Sequence, residues 1–295
     1  MVKPKVTIGV CVKNSATTIH EAIESIINQD FPHKLMEVIF VDDGSEDNTL
    51  SIINYYVTKT NIDAKVFHHE WRGLGPSRNV VVDNASGDYI IWVDGDMIIP
   101  KDHVRKLVDF MEENPKIGIA GGRYEGVSTN WVSMLENVIF EVADSQNIGR
   151  LTSKLPGTGA SIFRVSAVRD VGSFDENIKG AGEDMDIAYR VRANGWLLYR
   201  VNAMYYARSS ETWSLLWKKY LWHGYGMHYL VRKNVGSLSL YKMTPFAMLY
   251  MGLLYATKAY KLKHRKSLFL LPLHSVFKSI ALCIGFIKFD RFSHE

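Results

Sequence analysis

Along the first two hundred residues, short apolar and β-branched runs alternate with segments whose apolar positions recur every three to four residues. Residues 6–12, 37–41, 64–68, 89–93, 117–120, 161–164 and 197–201 read as strands. Ile19, Ala22, Ile23, Ile26 and Ile27 fall at i, i+3, i+4, i+7 and i+8, which predicts a helix laid on a sheet by one face. Pro76 predicts a helix over 76–85, since proline suits a first turn. Val104, Leu107, Val108 and Met111 predict another over 101–113, closed by Asn114 and Pro115, and a third over 184–193 stops at Asn194 and Gly195. Strands alternating with helices predict an α/β domain with a largely parallel sheet. Residues 123–156 show no clean period and read as a helix plus a mobile loop.

After residue 211 the pattern changes, which divides the chain into a domain over 1–211 and a tail over 212–295. Residues 212–229 are rich in Trp, Tyr and Lys, and two apolar stretches follow, 243–256 and 268–289. The first is short for a bilayer crossing. The second is long enough, but His274, Lys278 and Lys288 fall near one helical stripe, and Lys258, Lys261, Lys263, Arg265 and Lys266 precede it. An apolar helix with a basic strip beside a cationic loop suits the interface of an anionic leaflet. A transmembrane hairpin and an ordinary core helix are the other readings.

Composition adds an asymmetry to this division. The 295 residues are 47% apolar and 22% charged, which excludes a disordered chain. The formal charge of +4 splits into −8 over residues 1–199 and +12 over 200–295, so an acidic body carries a basic tail. That tail is interleaved with long aliphatic runs, which points to lipid as its anionic partner and not to nucleic acid. Cys11 and Cys283 are too few for a disulfide framework, which points to a reducing compartment. The seven-residue apolar run at 6–12 ends at Lys13 and Asn14 with no small-residue cleavage site, so no signal peptide is expected.

The chemistry should gather where strands end in carboxylates. Residues 89–93 lead into Asp94-Gly95-Asp96. In extended chain, residues two apart point the same way, so both carboxylates can face one ion, and Gly95 lets the backbone approach closely. Hard oxygen ligands of this kind suit Mg²⁺ or Mn²⁺ with positions left for phosphates. Taken alone, the pair could equally be an acidic turn. A second strand ends in Asp42-Asp43-Gly44-Ser45, where Asp43 could accept from the imide N–H of a uracil-like base while Asp42 caps the turn. Arg72-Gly73-Leu74-Gly75-Pro76-Ser77-Arg78 is a glycine loop entering a helix, whose amides and Arg78 could meet a ribose-diphosphate. Gly182-Glu183-Asp184 opens the helix over 184–193, either as a cap or as a loop holding Asp184 over a substrate hydroxyl as general base.

In this order and spacing the pieces resemble the family 2 glycosyltransferases: residues 6–14, Val41-Asp42-Asp43-Gly44-Ser45 with Asp47 and Thr49, Arg78-Asn79, Ala85-Ser86-Gly87-Asp88, Asp94-Gly95-Asp96, Gly157-Thr158-Gly159 and Gly182-Glu183-Asp184. The resemblance covers about residues 5–215. It implies the GT-A fold, a mixed and mostly parallel sheet flanked by helices. It implies that Val12, Asn14, Asp43, Arg78, Asp94 and Gly95 bind a UDP- or GDP-sugar, that Asp94 and Asp96 hold Mg²⁺ or Mn²⁺, and that Asp184, beside Glu183, deprotonates the acceptor. Gly159 and Trp222 are assigned to the acceptor. Inversion would follow from one in-line displacement at the anomeric carbon. The chain departs from the pattern at Lys13, where many relatives place a base-stacking Tyr, around 205–208, where a metal-binding histidine is often found, and at Lys218-Lys219-Tyr220-Leu221-Trp222, which only loosely echoes the Gln/Arg-Trp motif of processive synthases.

The expected function is therefore a metal-dependent inverting transferase at the cytoplasmic face of a membrane, peripheral or monotopic, acting on a lipid-linked or cell-surface glycan. A polyprenyl-phosphate sugar synthase is the alternative. A sugar nucleotidyltransferase is less favoured because the chain lacks the glycine-rich, basic N-terminal phosphate loop such enzymes use, and a non-catalytic scaffold would not need Asp43, Asp94, Asp96 and Asp184.

Overall fold

The computed structural model describes residues 3, 5–145, 148–152, 157–178, 180–233, 235, 240–263 and 266–288. These form two compact units. One comprises Met1–Arg123, Asn147–Asn177 and Glu183–Ala207; the other comprises Tyr124–Gln146, Ile178–Gly182 and Arg208–Glu295.

The first unit opens with β1 (Val6–Val12), α1 (Ile19–Ile27), β2 (Met36–Asp43), α2 (Thr49–Val57), β3 (Asp63–His69), α3 (Leu74–Asn84) and β4 (Tyr89–Trp92). Every residue of β1, β2 and β4 is buried, as the continuous apolar runs require of interior parallel strands. β1 pairs in parallel with β2 and with β4, and β2 pairs in parallel with β3. The helix expected at Pro76 starts two residues earlier, behind Gly73 at φ +100°. Next come β5 (Met97–Ile98), α4 (His103–Glu113) and β6 (Ile117–Val127), which outruns the expected strand. A Cβ on Gly122 would stand 2.9 Å from the carbonyls of Ala160 and Ala203, so glycine admits close backbone there.

The stretch without a period resolves into the end of β6, α5 (Trp131–Ser145) and β7 (Arg150–Leu151); its residues 146, 147 and 153–156 lie outside the described residues. Then follow β8 (Ile162–Arg164), α6 (Val165–Arg169), α7 (Glu183–Ala193) and β9 (Leu197–Arg208). The sheet runs β3-β2-β1-β4-β8-β6-β9-β5, with β7 on β9, and the pairs β4·β8, β6·β8, β5·β9 and β7·β9 are antiparallel. It is the mixed, helix-flanked sheet of a GT-A fold.

The second unit takes α5 together with α8 (Trp213–Arg232), α9 (Pro245–Lys263) and α10 (Leu271–Ile287). Thr212 caps α8, its hydroxyl accepting from Leu215 N–H at 3.2 Å. Gly224 of α8 lies on the Leu282 carbonyl and Gly285 of α10 on the Leu221 carbonyl, so the two backbones meet where side chains are missing.

The stripe of α10 does not face lipid as the sequence suggested. His274, Ser275, Lys278 and Ser279 are buried, and only Lys288 of the basic positions is exposed. Lys278 Nζ donates to Glu136 Oε2 of α5 at 2.7 Å, Tyr220 OH donates to Glu136 Oε1 at 2.9 Å, and Lys219 Nζ stands 3.5 Å from the same carboxylate. Burial alone would raise the Glu136 pKa, but the charges of Lys278 and Lys219 outweigh it and hold the carboxyl at about 2. Many large apolar side chains are exposed instead: Phe246 is 86% exposed, and Leu249, Tyr250, Leu253 and Leu254 of α9 and Leu273, Ile280 and Ile287 of α10 are exposed too, while Ala256, Ala259, Leu268 and Leu271 pack inward. The stretch Leu268–Ile287 is long and apolar enough to cross a bilayer by length and composition. Of the cationic loop, residues 264 and 265 lie outside the described residues.

Candidate active site

The site forms at the carboxyl ends of the parallel strands, where open α/β sheets bind ligands. β1 leads into Asn14, held at φ +51°, whose side-chain oxygen accepts from Glu46 N–H at 2.8 Å while its own N–H donates to Ser45 Oγ at 2.8 Å. Val12, just before it, is buried. These bonds pin the first loop to the loop after β2.

Asp42 and Asp43 divide their work. Asp42 is fully buried and accepts from Ser45 Oγ and, at 2.8 Å, meets His68 Nδ1. Asp43 is 4% exposed, and its two oxygens receive Arg72 N–H at 2.7 Å and Gly73 N–H at 2.9 Å, so it ties the glycine loop to β2. The glycine loop itself passes so close to Gly44 (φ +72°) that a Cβ there would stand 2.7 Å from Trp71 N.

Arg78 lies on α3 beneath the cleft. It is 3% exposed, with its guanidinium carbon 5.8 Å from the Trp92 ring centre and 5.7 Å from that of Phe174. It donates to the buried Glu183 of α7 and stands 3.9 Å from Asp94 Oδ1. Burial would lower its pKa, but the charges of Glu183, Asp94 and Asp184 reverse that and hold it above its ordinary value. The guanidinium expected to meet the diphosphate is thus committed to protein carboxylates.

Asp94 follows β4 in a turn closed by Met97 N–H on its carbonyl at 3.0 Å. Gly95 is required there because a Cβ would stand 2.9 Å from Val12 Cγ1 and 3.1 Å from Ser15 Oγ. The Asp94 side chain remains open to solvent and Asp96 is exposed. Its position in the cleft still strips part of its hydration and raises its pKa, Arg78 opposes, and Glu183 adds to the rise. Asp184 is pushed up to about 6, by burial first and then by Glu183, against the pull of Arg78. One of its oxygens lies 3.0 Å from where a Cβ on Gly157 would stand, so the Gly157-Thr158-Gly159 turn passes directly against it. Gly159 packs under Met97, and Tyr205 OH lies 3.3 Å from its Cβ direction.

Among the described residues, the structure therefore brings Arg78, Asp94, Glu183, Asp184 and Gly157 into one cluster, with three carboxylates around one guanidinium. Among the described residues no group of three His, Cys, Asp or Glu side chains has the geometry of a metal cage. Cys11, whose surroundings include Arg78, Asp94, Asp43 and Glu183, is a buried thiol pushed up to about 12, chiefly by burial, and is unreactive packing. Trp222 belongs to the second unit, where its carbonyl accepts Ala181 N–H at 3.4 Å. Two features escaped the sequence reading. Glu37, fully buried, accepts from Thr7 Oγ1 at 2.6 Å and Ser86 N–H at 2.5 Å, which makes Ala85-Ser86-Gly87-Asp88 a brace for β4. The other is the glycine loop's preceding residue, Trp71, exposed beside Lys13; its place next to Arg72-Gly73 was the available signal.

A family model for glycosyl transferase family 2 matches residues 7–172, the segment that carries every strand-end motif up to β8. The chain belongs to this family. Over 246 residues the family 2 chain is 26% identical to the poly-β-1,6-N-acetyl-D-glucosamine synthase of Staphylococcus epidermidis, an alignment covering 80% of this chain and 58% of that protein. The synthase of the same name from Staphylococcus aureus strain COL matches at 26% over 243 residues. The chain thus spans 58% of the length of these relatives. Among solved structures, Staphylococcus aureus TarS 1–349 in complex with UDP-GlcNAc superposes with a TM-score of 0.57 at 20% identity, covering 97% of this chain and 92% of that one. Mannosyltransferase PcManGT from Pyrobaculum calidifontis, in complex with GDP-Man and Mn²⁺, gives 0.68 at 17% identity, covering 100% and 89%. These two share the fold with this family 2 chain.

Proposed function

We propose that this glycosyltransferase moves a sugar from a nucleoside-diphosphate sugar to a hydroxyl of a lipid-linked or cell-surface glycan, with inversion at the anomeric carbon. The observation that carries the reading is Asp184, held against the Gly157 turn with its pKa pushed up to about 6. At neutral pH that carboxylate is ionised yet more basic than an ordinary aspartate, which suits a general base. Asp184 takes the proton from the acceptor hydroxyl as its oxygen attacks the anomeric carbon, and the bond to the diphosphate oxygen breaks from the opposite side. Glu183 and Arg78 position the base: their ion pair fixes the start of α7, and Glu183 raises the basicity that Arg78 moderates. The relatives' names favour UDP-GlcNAc as donor, with a GDP-sugar as the alternative.

A cluster with more carboxylates than cations fits a Mg²⁺ or Mn²⁺ ion that arrives with the donor. Asp94 and Asp96 are the hard-oxygen donors that would hold it, with phosphate oxygens and water completing its shell. When bound, it supplies positive charge to the departing nucleoside diphosphate.

The enzyme sits at the cytoplasmic face of a membrane as a peripheral or monotopic protein. The support is the buried polar stripe of α10 together with the large apolar side chains exposed on α9 and α10, among them Phe246, Tyr250, Leu273 and Ile287. A soluble bundle has the reverse arrangement. Purified enzyme in mild detergent, given UDP-GlcNAc or GDP-mannose with Mg²⁺ or Mn²⁺ and either short glycans or polyprenyl phosphate, should release nucleoside diphosphate and lose activity with EDTA. No release from any donor would overturn the reading, and turnover on polyprenyl phosphate alone would replace the glycan acceptor.

A further inference from the structure

The Gly157-Thr158-Gly159 turn touches both parts of the site. Gly157 lies against the Asp184 carboxylate, and Gly159 packs under Met97, whose N–H closes the Asp94 turn. Ser161 N–H donates to the Thr158 carbonyl at 3.0 Å and Ser161 Oγ to the Gly157 carbonyl at 2.8 Å, so residues 157–161 form one bonded unit. Ala160 within it is fully buried and held at φ +45°, a left-handed conformation that crowds a Cβ against the following carbonyl. Strain of that kind persists only where the surroundings impose it.

The residue placed to impose it is His103, the first of α4 and 1% exposed. Its Nε2 stands 3.2 Å from the Ala160 carbonyl oxygen and its Nδ1 2.9 Å from that of Met204 in β9. The same Ala160 carbonyl lies close against Gly122 of β6. Burial pushes the imidazole down to about 4, so at neutral pH the ring has one N–H for two acceptors, and the tautomer with its hydrogen on Nε2 is the one that grips the turn. None of these groups touches the reacting atoms. We propose that His103 is a positioning residue for sugar transfer: by donating from Nε2 to Ala160 it holds the left-handed kink, and with it the seat of the 157–161 turn between Asp184 and the Asp94 turn. This rests on the general-base reading of Asp184 proposed above.

The test is steady-state transfer by the full chain in mild detergent, beside thermal melts, for wild type, His103→Gln, His103→Asn and His103→Leu, and for His103→Leu on an Ala160→Gly background. The amide nitrogen of Gln falls near Nε2 and that of Asn near Nδ1, so Gln keeps the bond to Ala160 while Asn keeps only the one to Met204. His103→Leu and His103→Asn should lose about tenfold in kcat with the donor and acceptor KM within about twofold, because small misplacements of a reacting group fall on the chemical step; His103→Gln should stay within about threefold of wild type. Glycine takes up the kink without help, so on the Ala160→Gly background His103→Leu should cost less than about threefold relative to Ala160→Gly alone. Wild-type kcat in His103→Leu overturns the proposal, and so does an Asn variant as active as the Gln variant. A loss from His103→Leu that is undiminished on the glycine background overturns it too and assigns the residue to core packing. If His103→Leu does not fold, the difference in kcat between the Gln and Asn variants decides. Wild type that releases no nucleoside diphosphate from any donor overturns the transfer reading and this proposal with it.

Discussion

The inward stripe of α10 can be tested by breaking its ion pair. Lys278→Met keeps the length and apolar stem of the side chain but leaves Glu136, fully buried, without its 2.7 Å partner. The fall of the Glu136 pKa from 4.5 to about 2 is what the surrounding cations contribute beyond the cost of burying the carboxylate, about 3 kcal/mol at 1.36 kcal/mol per tenfold change in proton affinity, while burial lowers the Lys278 pKa in turn. Lys219 at 3.5 Å and the Tyr220 hydroxyl remain, so the loss should be about 2–3 kcal/mol, below the roughly 3–5 kcal/mol of a fully orphaned buried charge. Because the folded pKa lies below the unfolded one, this stability is fully present above about pH 4.5 and is lost as the pH falls through about 2. In Lys278→Met the Glu136 pKa rises, and acid unfolding should move to higher pH. Glu136→Gln should also destabilise, and the double variant Glu136→Gln/Lys278→Met should return to within about 1 kcal/mol of wild type, since a neutral pair leaves no buried charge. Denaturant unfolding in mild detergent, followed by circular dichroism, measures all four proteins. If Lys278→Met is neutral or stabilising, or the double variant is no better than the worse single one, the stripe does not face the interior as described.

Asp184→Asn should cut kcat by about 10²–10⁴ through loss of the base. It should also raise stability by up to about 3 kcal/mol at pH 7, because a carboxyl whose folded pKa is raised from 3.8 to about 6 opposes folding once it ionises; thermal melts at pH 7 and pH 4 check this, most of the gain vanishing at the lower pH. The same ionisation should give wild-type kcat/KM an acid limb near pH 6, falling tenfold per pH below it, read from a pH–rate profile. Gly157→Ala places a Cβ 3.0 Å from the Asp184 carboxylate and should lower kcat several-fold with little change in melting temperature, measured by steady-state assay beside calorimetry. Phe246→Glu with Tyr250→Glu on α9 should abolish flotation with anionic vesicles while leaving the circular dichroism spectrum intact, whereas Lys288→Gln should weaken flotation only at low salt.

Local pattern was enough for the parallel half of the sheet, because β1, β2 and β4 are buried on both faces and must be continuous apolar runs. It was also enough for the strand-end motifs, since Asp94-Gly95-Asp96 and Glu183-Asp184 carry their chemistry in adjacent letters. It failed where neighbours distant in sequence set the outcome. β6 runs through Gly121 and Gly122 because the carbonyls of Ala160 and Ala203 approach there, and no window around residue 122 contains them. The pairing of Arg78 with Glu183 spans 105 positions, and it decides that the arginine serves the protein's carboxylates before any ligand's phosphate. The tail shows the division most clearly. Its sequence determined that α10 has one polar stripe and an otherwise apolar surface, but a stripe has no inside or outside until another helix packs against it. Glu136, contributed by α5 from 142 positions away, drew Lys278 inward, because a buried carboxylate is stable only beside a cation, and that pairing turned the apolar face outward.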